Sequence, residues 1–253
     1  MTYTKIIKGL LFPLLIIIAW QHLYDNGSLP QTLSAPSYIA DAFYENLSNG
    51  QIFLHTTISL QRMMIGLLIA IIIGVSLGIL MSSSAITNKL FTPTFRAFMQ
   101  ISAFAWIPII SVWFGNSETA RIIFIAFVCI FPIALNTYEG FMRTPVAYKE
   151  AVKVLNISST KRIRLIFIPS AMPSIIAGIE LGMLYAWLAT IGAELLMGNG
   201  FGVGALMLAG QELFRMDVVF MGVVICSIIG FMVTLLSSIL QKVFIKTGSG
   251  AIR

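Results

Sequence analysis

The sequence predicts an all-α, polytopic membrane protein of six transmembrane helices with both termini in the cytoplasm. Three observations carry this. Mean hydropathy is +0.92, only 10% of residues are charged, and six apolar runs are separated by short polar segments whose basic residues alternate in density. A soluble domain carries about 25% charged residues, so the chain is too apolar for that class. Each run approaches the roughly 20 residues that a helix needs to cross the hydrocarbon core.

The first run, 6–24, contains IIKGLLFPLLIIIAWQHLY. Lys5 and Lys8 at its start also suit a secretory leader. Trp20, Gln21 and His22, however, make a poor small-residue cleavage site, which favours an uncleaved span. A polar stretch at 25–57 follows, so residues 1–57 form one unit, the N-terminal span with an extracytoplasmic loop. The remaining runs are 60–82, 97–114, 119–138, 171–193 and 218–241, within a bundle bounded at 58–245, and 246–253 forms a cytoplasmic tail. The run at 97–114 is the weakest, being short and interrupted by Gln100, Ser102 and Pro108.

Basic residues set the orientation. With the N-terminus inside, thirteen of the sixteen lysines and arginines fall on the cytoplasmic side, and only Arg62, Arg121 and Arg215 remain outside, each near the foot of a span. Cytoplasmic loops carry this excess. The bases flank apolar runs and are not interleaved with aromatics, so the net charge of +6 speaks for topology and membrane lipid, not nucleic acid. Cys129 and Cys226 lie inside apolar runs without metal-ligand spacing and read as small packing residues, and no metal site is expected.

Segment 145–169 holds Lys149, Lys153, Lys161, Arg162 and Arg164, an island of charge between the fourth and fifth spans. Thr144-Pro145 suits a helix start, a hydroxyl cap followed by proline at the first helical position. Ala147, Ala151, Val154 and Leu155 then form an apolar stripe at helical spacing. Asn156 can end that helix in the left-handed conformation. Ser158, Ser159 or Thr160 can cap a second helix carrying Ile163, Ile166 and Phe167, which Pro169 ends. The pattern alone fits an interfacial anchor in the headgroups and a docking surface equally well.

The order of residues here resembles the EAA loop of binding-protein-dependent ABC importer permeases, EAA-x3-G-x9-I-x-LP. Glu150, Ala151, Val152, Asn156, Ile166 and Pro169 occupy its marked positions with the spacing kept throughout. Val152 replaces alanine, Asn156 glycine and Ile168 leucine. AWIPIISVWFG (105–115), FPIALNTYEG (131–140) and AELLMGNGFGVGALM (193–207) are similar to the alkanesulfonate, taurine and nitrate group of that family. The resemblance implies a permease subunit in the bacterial inner membrane, with 58–245 as its transmembrane domain. It implies a second copy of the chain, a cytoplasmic ABC ATPase dimer docking on the loop, and an extracytoplasmic substrate-binding protein. ATP then belongs to the partner subunit, no cofactor to this chain, and the chain is not an enzyme; no GxxxxGK[ST] phosphate loop occurs in it. The implied cargo is a small organic anion such as an aliphatic sulfonate, taurine or nitrate. A thiamine precursor, riboflavin or an aromatic acid is the alternative.

Two other classes are weaker. An intramembrane enzyme needs a nucleophile and base or metal ligands at matched depth, yet HExxH and GxSxG are absent and no histidine lies mid-span. A secondary transporter predicts inverted repeats and charge partners in the bilayer, neither of which is legible.

Polar groups inside a membrane face protein or water, which makes Gln100, Trp106, Glu180, Trp187 and Glu194 candidates for the translocation path or its gate. Glu180, Trp187 and Glu194 recur every seven residues and share a helix face. A packing or helix-bridging role for each stays open beside that reading. Bare carboxylates repel an anion, so the two glutamates are expected to close a gate or pair with a base. The Gly-rich run from Gly198 to Gly204 reads as a tight turn or re-entrant loop, and His22 and His55 are assigned no role.

Overall fold

The structure, a computed structural model, describes residues 3–30, 32–145, 161, 163–198 and 200–248. The described elements are helical. They are α1 (Tyr3–Asp25), α2 (Pro36–Ser48), α3 (Gln51–Ser83), α4 (Ala85–Gln100), a 3-10 turn (Ala103–Trp106) running into α5 (Ile107–Phe114), and α6 (Glu118–Met142). A π turn (Ile163–Phe167) then continues as α7 (Ile168–Leu196), followed by α8 (Val203–Glu212) and α9 (Met216–Gly248). Segments Gln51–Ser83, Glu118–Met142, Leu165–Leu196 and Met216–Ile239 are long and apolar enough to cross a membrane. The pair Ile86–Gln100 and Ala103–Phe114 makes a fifth if its 98° bend is counted as one broken span.

Helix α6 lies between α3 and α7, and α9 closes on α7. Phe124, Ile125 and Ile133 of α6 are fully buried, with Met221 of α9. Lipid tails are as apolar as leucine, so helices in a bilayer associate through close packing, and small residues permit it. A Cβ on Gly66 would stand 2.6 Å from Ile125 Cγ2, and one on Gly74 would stand 2.9 Å from Ile133 Cβ. Both glycines therefore set the α3–α6 distance. Outward, Ile72, Leu188 and Phe231 are exposed, an apolar girdle suited to hydrocarbon.

Three expectations are corrected. Residues 97–114 are not a single span: the helix starts at Ala85 and breaks at Ile101-Ser102, both extended in ψ. Ser84 sets that start through a capping box, its hydroxyl accepting from Thr87 N–H at 3.1 Å while Thr87 Oγ1 accepts from Ser84 N–H at 3.2 Å. The polar stretch 25–57 is not all loop, because Pro36 at the first helical turn opens α2. Pro169 does not end a helix. Proline lacks an N–H and its ring crowds the carbonyl four residues back; the wider π turn at 163–167 accommodates both and lets the helix continue.

Candidate functional site

Two places in the bundle bring together residues that the sequence singled out. The first is built at the start of α6 and the end of α7. His55, Ser59 and Arg62 fall at i, i+4 and i+7 on α3, so one face presents all three. Ser117 caps α6 by accepting from Ala120 N–H at 3.1 Å, which places Glu118 in the first turn, where the helix dipole favours a carboxylate. Glu194 sits in the last turn of α7, the wrong end for its charge. It is 1% exposed and Arg62 is 2% exposed, so neither can rely on water.

Pairing offsets that cost. Arg62 forms an ion pair with Glu194 and a bidentate one with Glu118, Nε to Oε2 at 2.9 Å and Nη2 to Oε1 at 2.8 Å. Ser59 Oγ donates to Glu194 Oε1 at 2.7 Å, and Gly204 N–H donates to Oε2 at 2.8 Å. Arg121 donates to Glu118 at 2.6 Å and to the Gly198 carbonyl. Two guanidiniums thus balance two carboxylates.

The same cluster pins the glycine turn to α3. Val203 N–H donates to Ser59 Oγ at 2.9 Å, Arg62 donates to the Phe201 carbonyl at 3.1 Å, and His55 Nδ1 lies 2.7 Å from the Gly202 carbonyl. Gly200, with φ of 135°, lies against the Arg121 guanidinium, leaving no room for a side chain. His55 therefore has a contact where the sequence assigned it none. Arg62, Glu118, Arg121 and Ser59 were likewise not named as site residues; the only signal was an arginine at the foot of each of two spans.

The second place is a cavity of about 240 Å³ at the break between α4 and the 3-10 turn, closed by α6 and α7. Phe98, Trp106, Phe127 and Phe131 wall it, with ring centroids 5.0 Å apart for Trp106–Phe127 and for Phe127–Phe131, and 5.7 Å for the stacked Phe98–Phe131 pair. Gln100, Ser102 and Tyr185 add polar groups.

The predicted path residues therefore divide. Gln100 and Trp106 meet at the cavity, and Glu194 is locked in the charged cluster. Trp187 is buried and donates its indole N–H to the Cys226 carbonyl at 3.2 Å, bracing α7 against α9. Glu180 is half-buried on α7 and joins neither place. Of the predicted loop residues, Glu150, Ala151, Val152 and Asn156 lie outside the described residues, Ile166 lies in the π turn and Pro169 in the first turn of α7. Cys129 donates to the Gly182 carbonyl at 3.3 Å, in keeping with a packing role.

Comparison with known proteins identifies the family of this helical bundle. The chain belongs to the binding-protein-dependent transport system inner membrane component family, whose pattern matches residues 66–247. It is 31% identical over 240 residues, 94% of this chain and 87% of the other, to a Bacillus subtilis (strain 168) protein named for aliphatic sulfonates transport, permease SsuC. The bicarbonate transport system permease CmpB of Synechococcus elongatus is 33% identical over 78% of this chain and 76% of its own. The nitrate import permease NrtB of Leptolyngbya laminosa is 34% identical over 66% and 60% respectively. Among solved structures, a chain of the inward-facing MetNI methionine ABC transporter superposes with a TM-score of 0.64 at 15% identity, covering 74% of this chain and 93% of that one, a likeness of fold. This chain is accordingly an ABC transporter permease, a multi-pass protein of the inner membrane.

Proposed function

We propose that this permease is the membrane-spanning half of an ATP-driven importer for a small anion, an aliphatic sulfonate, taurine, bicarbonate or nitrate. Six spans with both termini in the cytoplasm complete the topology, α1 and the bent α4–α5 pair serving as the two that length and apolarity alone leave short. Two copies of the chain face each other, a cytoplasmic ATPase dimer docks on the two 145–169 loops, and an extracytoplasmic binding protein delivers the cargo. ATP stays on the partner subunits. The observation that carries this reading is the EAA-like spacing of Glu150 through Pro169 between α6 and α7, inside the matched range 66–247. Relatives named for sulfonates, bicarbonate and nitrate support the anion.

In this mechanism ATP binding closes the ATPase pair and draws the two loops together, turning the pathway outward; hydrolysis resets it. The Arg62–Glu194 cluster lies at the opposite end of the bundle from the loop and acts as the outer clasp. Because Arg62 and Arg121 balance its carboxylates, the clasp does not repel an approaching anion as bare glutamates would. Charge reversal by Glu150→Lys should abolish ATP-dependent uptake and ATPase stimulation in proteoliposomes while membrane insertion stays normal. Undiminished uptake in that variant would remove the coupling assignment.

The aromatic walls of the cavity favour a second reading of the cargo, an aromatic acid, with the same transporter class retained.

A further inference from the structure

We infer that the cavity at the α4–α5 break is a cargo subsite for an organic molecule with a planar ring or short alkyl body and one polar head, and that it discriminates against bare inorganic oxyanions. This rests on the permease reading and narrows its cargo, keeping the organic anions and setting nitrate and bicarbonate aside.

Four observations support it. The cavity's volume of about 240 Å³ suits one ring with a substituent, somewhat below the roughly 300–1,000 Å³ of drug-sized sites. Its walls are rings already held by one another: Phe98 and Trp106 lie 5.5 Å apart at 32°, and Phe127 meets Phe131 edge to face at 86°. A wall fixed in this way offers a flat surface at little ordering cost, and offset or edge contacts between rings add about 0.5–1.5 kcal/mol beyond buried area. Gln100, Ser102 and Tyr185 are polar, and among the described residues none of their side chains has a hydrogen-bond partner, so their donors and acceptors are available to a ligand. Convergence of a few such groups on an apolar cleft is the usual composition of a small-molecule site.

The fourth observation is an absence of charge from the described lining: among the described residues, the twelve around the cavity include no Lys, Arg, His, Asp or Glu. Nitrate or bicarbonate would leave water for ring faces that carry negative quadrupole potential, with no cation to offset the loss. A ring-bearing sulfonate or carboxylate differs, because its body gains contact with the walls while its head can remain at the polar rim formed by Gln100, Ser102 and Tyr185. Position agrees with passage. Phe127, Phe131 and Tyr185 lie midway along α6 and α7, and the helix break removes one wall of regular backbone beside them.

The test uses the full chain assembled with its ATPase in lipid nanodiscs and radiolabelled benzenesulfonate as the probe. Saturable binding is expected, weakened at least tenfold by Trp106→Ala, largely restored by Trp106→Phe, and left in place by a hundredfold excess of nitrate or bicarbonate. No saturable binding, equal displacement by nitrate, or Trp106→Ala binding as tightly as the unaltered chain would each overturn the inference. Binding that is displaced by added phospholipid would also overturn it, by showing that a lipid tail is the occupant. ATPase stimulation by the unaltered chain is read in the same sample. Its failure would count against the permease reading, whereas intact stimulation without probe binding would count against the subsite alone.

Discussion

Arg62 and Glu194 are each about 1% exposed at the side chain, so a lost partner cannot be replaced by water. Breaking a buried pair by removing one member costs about 3–5 kcal/mol, whereas replacing both by apolar residues is often close to neutral. Arg62→Met is therefore expected to destabilise the purified chain by about 3–5 kcal/mol, and adding Glu194→Met should recover part of that loss. Denaturant titration of the three variants in nanodiscs measures it. A double variant that is no more stable than the Arg62→Met single would show that the pair is not the source of the cost. This cluster was only half legible in the sequence. Glu194 stood out as a carboxylate in an apolar run, expected either to close a gate or to pair with a base, but the partner lies 132 positions earlier on α3, a separation that no local pattern reports. His55 was assigned no role for the same reason: its contact, Gly202, is 147 positions away.

Helices α3, α6, α7 and α9 contain the predicted runs 60–82, 119–138, 171–193 and 218–241, each longer than its run at one end or both. Hydropathy registers only the part of a helix that meets hydrocarbon. Where the helix begins depends on caps such as Ser117 and on left-handed residues such as Gly50, with φ of 71°. The α3–α6 seam makes a further prediction. Gly74→Ala would place a methyl 2.9 Å from Ile133 Cβ, closer than carbon contacts allow, so the helices must part. Overpacking of this kind costs about 1–3 kcal/mol. Thermal melting of Gly74→Ala should fall accordingly, while Gly115→Ala, where no neighbouring atom lies within 4 Å, reports only the strain of its φ of 67°. The continuous helix through Pro169 was misread because a proline's effect depends on the turn before it, and the run at 97–114 because a helix can break without one. At Pro169 that turn is π and carries the chain on, whereas at Ile101-Ser102 extended backbone stops the helix with no proline needed.

For the whole molecule, orientation is the property with the sharpest test. The distribution of basic residues puts the α3–α4 junction inside and the α5–α6 junction outside. In a chain whose Cys129 and Cys226 have been replaced by alanine, Ser83→Cys should react with an impermeant maleimide only from the cytoplasmic side. Asn116→Cys should react only from the opposite side; both positions are exposed. Labelling in the reverse sense would invert the topology and move the charged cluster to the cytoplasmic face.

Composition and hydropathy were sufficient for the class, the membrane setting and the main spans, because the energy of placing a residue in hydrocarbon is local and can be summed along the chain. The division among the candidate path residues required the tertiary structure. Gln100 and Trp106 became one cavity wall only through the bend at 101–102, Trp187 became a brace only through α9, and Glu194 became part of a charge-balanced cluster only through α3 and α6. Each of those outcomes depends on distances between helices, and such distances arise from packing and pairing between residues far apart in the chain.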